Sequence, residues 1–63
     1  AIKCFDRTLK IDPKNSQAWT GRGFSLYKEK KYKDSLRCYE KALEFEPENE
    51  YIRELTKDCL DRL

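Results

Sequence analysis

AIKCFDRTLKIDPKN, residues 1–15, and SLRCYEKALEFEPEN, residues 35–49, are one pattern written twice, 34 residues apart. Cys4/Cys38, Leu9/Leu43, Pro13/Pro47 and Asn15/Asn49 are identical pairs. Ile2/Leu36, Lys3/Arg37, Phe5/Tyr39, Asp6/Glu40, Arg7/Lys41 and Asp12/Glu46 keep chemical type. Ten of the 15 positions therefore agree in register without a gap. Self-similarity at such a period marks stacked repeats, in which each unit buries its apolar face only against its neighbours.

Between the two copies lies one more segment, and the period then holds two helices. The first is predicted from Ser16 to Glu29, capped by Asn15 or Ser16, whose short side-chain oxygen can accept from a free first-turn N–H. Its stripe is Ala18, Trp19, Arg22, Ser25 and Leu26, spaced by three and four. The second is predicted from Tyr32 to Phe45, with Tyr32, Leu36, Tyr39, Ala42 and Leu43 on one face. Pro47 stops it, because proline lacks an N–H and disfavours the α conformation before it. The short link at Lys30 and Lys31 makes the pair antiparallel. By the same register, Ala1 to Ile11 is a second-type helix. Glu50 to Leu63 is a third, with Ile52, Thr56, Cys59, Leu60 and Leu63 on one side.

The bulk properties narrow the function. Lys and Arg number 14 and Asp and Glu 12, a net charge of +2, without the clear basic excess expected of a nucleic-acid binder. No stretch is long and apolar enough to span a membrane, and no signal peptide is visible. With no histidine and no C-x-x-C among three cysteines, a zinc site lacks ligands. Cys4, Cys38 and Cys59 read as reduced thiols of a cytoplasmic protein, packed as small apolar groups and unbonded to one another. Neither Cys nor Ser stands beside a base in any recognisable motif, so the chain is expected to be no enzyme and to need no cofactor or metal.

Trp19, Gly23, Leu26, Ser35, Tyr39, Ala42 and Pro47 carry a resemblance to the tetratricopeptide repeat (TPR), whose 34-residue pattern runs W-x2-L-G-x2-Y…A-x3-F…P. Trp19, Gly23 and Pro47 match outright. Leu26 stands for Tyr, Ser35 for Ala and Tyr39 for Phe, each keeping approximate size. Arg22 replaces Leu, with its stem expected to lie along the core edge. The resemblance implies an all-α fold, a TPR-type superhelix of antiparallel hairpins. It divides the chain into half a repeat at 1–15, a complete repeat at 16–49 and a C-terminal capping helix at 50–63. Arg53 and Lys57 stand where a continuing repeat would place Trp and Gly, which favours a cap over a further degenerate repeat. Gly23 is expected to let the paired helices approach at Ser35. No core reason is evident for Gly21.

The resemblance also implies the function: a scaffold that binds a protein partner, as a peptide or helix, in a concave groove lined by first helices. Here that lining would be Gln17, Thr20, Gly21, Phe24, Tyr27 and Lys28. Phe24 beside Gly21 would form a shallow anchor pocket; the alternative is that Phe24 packs against a neighbouring helix. Some family members clamp a partner's C-terminal carboxylate, as in chaperone-tail recognition, with Lys and Asn where this chain has Thr20 and Phe24, which argues against such a clamp in this repeat. The turn Lys28, Lys30, Lys31 and Lys33 is read as solvated and interrupted by Glu29. A second reading is self-association, in which another copy covers the stripe Ile2, Phe5 and Leu9.

Overall fold

The chain, seen in a computed structural model, is described for residues 2–63, with side chains from Lys3 onward. Four helices follow one another: α1 (Ile2–Ile11), α2 (Ser16–Lys28), α3 (Tyr32–Phe45) and α4 (Glu50–Arg62). There is no strand among the described residues. Each bound lies within a residue of the sequence expectation where it can be compared. The part assigned to Ala1 and to the Ile2 side chain lies outside the described residues.

The links explain themselves locally. Asn15 stands in extended backbone before α2 and its side-chain oxygen accepts from the Ala18 N–H at 3.1 Å. Asn49 does the same before α4, accepting from Ile52 N–H at 3.2 Å. Such caps satisfy N–H groups that no helix turn reaches. The α2–α3 turn is different. Lys31 N–H donates to the Leu26 carbonyl and Lys30 N–H to the Tyr27 carbonyl, both at 2.9 Å. That is a Schellman ending, which demands a left-handed residue at its centre. Lys30 fills the place with φ 64°, although a side chain is strained there and glycine is not.

Consecutive helices pack against one another, α1 on α2, α2 on α3 and α3 on α4. The core is built where α3 is covered on two sides. Tyr39 and Ala42 of α3 and Ile52 and Cys59 of α4 are buried together. Trp19, Tyr27, Leu36, Leu43 and Leu55 pack against them with part of their surface still wet. Gly23 is the point of closest approach. A side chain added there would lie 2.7 Å from Tyr39 Cε1 and 3.1 Å from Cys38 Cβ. Ser35 faces the same turn of α2, its hydroxyl donating to the Gly23 carbonyl at 2.5 Å while accepting from the Cys59 thiol at 3.4 Å. Trp19, placed by its spacing on the packing stripe of α2, is half-buried, and its indole N–H donates to the Pro13 carbonyl at 2.8 Å.

Four expectations change. Cys4 is exposed while its equivalent Cys38 is buried, because α2 lies over Cys38 and no helix among the described residues covers Cys4. Leu60 and Leu63 of α4 are exposed, and Leu55 packs on the core in their place, since the helical period centres the buried stripe on Ile52, Leu55 and Cys59. Gly21 has a core reason: the Phe5 ring lies against it, where any side chain would collide with the ring edge. Nor is the described part of the α1 stripe left wet. Leu9 is buried within the chain and Phe5 is half-buried on Gly21. Among the described side chains of α1, the exposed large apolar one is Ile11, 82% exposed.

Candidate functional site

On α2, α1 and α3 occupy two sides and a third is open. The helical period brings Gln17, Thr20, Phe24 and Lys28 to that open side. Gln17, Phe24 and Lys28 are exposed and Thr20 half-buried. Thr20 spends its hydroxyl locally, donating to the Ser16 carbonyl at 2.8 Å. Phe24 stays 41% exposed, and the Lys28 ammonium sits 4.8 Å from its ring centre. A cation over an aromatic face is attracted by the ring quadrupole, so the two present a combined apolar and positive patch one turn apart.

The remaining two expected lining residues go elsewhere. Gly21 is covered by Phe5, so no pocket opens beside Phe24 there. Tyr27 turns toward α4. Its hydroxyl donates to the Asp58 carboxylate, its ring meets Tyr32 edge-on at 5.3 Å between centroids, and the Arg62 guanidinium lies 5.3 Å from its ring centre. Arg62 Nε also pairs with Asp58 at 3.5 Å. The hydrogen bond to Asp58, more than burial, raises the Tyr27 pKa above that of an ordinary phenol. Tyr27 and Asp58 in turn hold the Arg62 proton more firmly. Asp58 and Arg62 were not among the residues singled out in the sequence. The signal was present: they stand 34 residues after Phe24 and Lys28, so the register that revealed the duplication also places them on the same face.

The lysine turn is exposed throughout, with Lys31 3.7 Å from Glu29 as its ion pair. Among the described residues no group of His, Cys, Asp and Glu is arranged to hold a metal, and no helix is long and apolar enough to cross a membrane.

The tetratricopeptide repeat profile matches residues 16–49, the α2–α3 hairpin with its flanking asparagine. The chain belongs to the tetratricopeptide repeat family. TPR domains generally mediate protein–protein interaction and are scaffolds without chemistry of their own. Among curated proteins this TPR chain is similar to the Protein STIP1 homolog of Dictyostelium discoideum, 38% identical over 56 residues. It is also similar to the Small glutamine-rich tetratricopeptide repeat-containing protein 2 of Mycosarcoma maydis, 33% identical over 53 residues. These matches cover 86% and 84% of this chain but only 10% and 15% of the two relatives.

Proposed function

We propose that the open face of α2, continued by the Asp58 and Arg62 edge of α4, is a docking surface for an extended peptide or helix of a protein partner. Phe24 is its anchor. The observation that carries this reading is an aromatic ring left 41% exposed on a side of α2 that neither α1 nor α3 covers, with Lys28 over it. Aromatic anchors of this kind dominate binding energy when a partner desolvates them. Self-association through Phe5 and Leu9 is less favoured, because those side chains already find cover inside the chain. The capping role of α4 and a reducing, cytoplasmic setting belong to the same reading. Arg53 and Lys57 are exposed on α4, and the three thiols are free.

The test is selection of peptides from a displayed random library on the purified chain, followed by titration against variants. Phe24→Ala is expected to weaken the selected peptides by about tenfold to a hundredfold, and Lys28→Ala by less. Replacing Lys30 and Lys31 is expected to change only salt-dependent association rates. Peptides that bind the Phe24→Ala variant unchanged and are lost on neutralising Lys30 and Lys31 would replace the groove by the lysine turn. Light scattering over a concentration series separates both from self-association.

A further inference from the structure

A concavity lies on the opposite side of α2 from Phe24 and Lys28. It is a cleft of about 420 Å³ between α2 and α3. Its apolar part is Trp19, Leu26 and Cys38, and its charged part is Arg22, Arg37 and Lys41, with Asp34 the one carboxylate in the lining. Burial raises the Cys38 pKa, so its thiol is neutral and belongs to the apolar part. Two of the three cations have a carboxylate partner outside the lining, and Arg37 has none among the described residues. Lys41 shares Glu44 at 3.2 Å, both exposed, which holds the pair weakly. Arg22 Nε approaches Asp6 of α1 at 3.3 Å, yet this buried donor makes no hydrogen bond. Arg37 is exposed and has no ion-pair partner among the described residues. Arg22 stands where the repeat pattern has Leu, so the cleft carries a charge that stacking of the repeat does not require.

We infer that this cleft is a second docking site, for an acidic segment of a protein partner that places one apolar side chain against Trp19 and carboxylates against Arg37 and Lys41. Charge complementarity selects the class. Arg37, unpaired among the described residues, and Lys41, held only weakly by exposed Glu44, favour an acidic occupant, and an indole, a leucine and a neutral thiol favour an aliphatic or aromatic side chain between the acids. A small inorganic anion would leave the apolar part uncovered.

Trp19 is the one tryptophan in the sequence, so its fluorescence reports this cleft selectively. The experiment titrates the chain with a capped peptide bearing a single leucine between glutamates, with its lysine counterpart, and with glutarate. The expected result is a saturable change in Trp19 emission with the acidic peptide alone, weakened roughly tenfold in Arg37→Glu. Arg37→Gln should lie between. Lys57→Gln should bind as the parent does, because it removes an exposed cation of α4 that is not in the cleft lining. Circular dichroism checks that each variant is folded; Arg37 is exposed and its replacement leaves the core intact. The inference is overturned by no saturable change with the folded parent. It is equally overturned by glutarate acting as well as the peptide, or by a response that survives Arg37→Glu or disappears in Lys57→Gln.

Discussion

α1 and α3 are close to the same helix in sequence and quite different helices in the structure. Cys4 is exposed and Cys38 buried; Phe5 is half-buried and Tyr39 is 0% exposed. Both aromatics reach a glycine of α2, Phe5 at Gly21 and Tyr39 at Gly23. The two glycines stand about 200° apart around the helix at 100° per residue. α2 is thus notched on nearly opposite sides for the same residue type arriving from each neighbour. What separates the twins is the number of helices over them. α3 lies between α2 and α4, whereas the main packing of α1 is on α2. In a stacked repeat, burial is a property of the neighbours, not of the segment.

The largest expected difference between the twins is in thiol reactivity. In the native protein Cys4 should react with a thiol reagent about a hundredfold or more faster than Cys38 or Cys59, whose modification waits for an opening of the core. Mass mapping during timed alkylation measures this. Equal rates at Cys4 and Cys38 would show that α2 does not hold closed over α3.

Next come the glycines. Gly23→Ala sets a methyl 2.7 Å and 2.9 Å from ring carbons of Tyr39, a ring with no room to move, and should cost roughly 1–3 kcal/mol of stability. Gly21→Ala meets the end of the half-exposed Phe5 ring, which can swing aside, and gains up to about 1 kcal/mol of helix propensity. It should fall close to neutral. Chemical denaturation of both variants decides it, and equal costs would remove the distinction between the rigid and the yielding notch.

Tyr39 separates the helices in another way. Its hydroxyl is buried without a hydrogen-bond partner, and burial pushes its pKa from 10.0 up to about 12. The nearby Ser35 offsets part of that shift, although the Ser35 proton is committed to the Gly23 carbonyl. The folded state favours the neutral phenol, so this contribution is intact below pH 10.0 and is lost as the pH rises toward about 12. Tyr39→Phe should stabilise by about 1 kcal/mol at neutral pH and flatten that alkaline decline. A thermal melt series across pH reads both effects.

The smallest effect is in the turn that brings α3 back onto α2. Lys30→Gly removes the strain of a left-handed lysine and should add up to about 1 kcal/mol. A loss of stability on the same substitution would mean that the Lys30 side chain contributes more than its backbone strain costs.

The sequence by itself determined the period, the helix bounds and the caps, since those depend on residues a few places apart. An Asn before each first helix, a Pro after each second and a three-four spacing of apolar groups are local facts. It also determined that Gly23 and Ser35 meet, because the repeat pattern encodes that approach. Only the tertiary structure decided which copy of a repeated residue is covered. Cys4 and Cys38 are identical in type and register, and the difference lies wholly in the helix above them. It likewise decided that Gly21 is filled by Phe5 rather than open beside Phe24, that Tyr27 leaves the open face for Asp58 and Arg62, and that Leu55 rather than Leu60 enters the core. Each depends on the angle at which one helix presents its side chains to another. A shift of one residue turns that angle by about 100°, so a stripe read from spacing alone fixes the face only to within a neighbour.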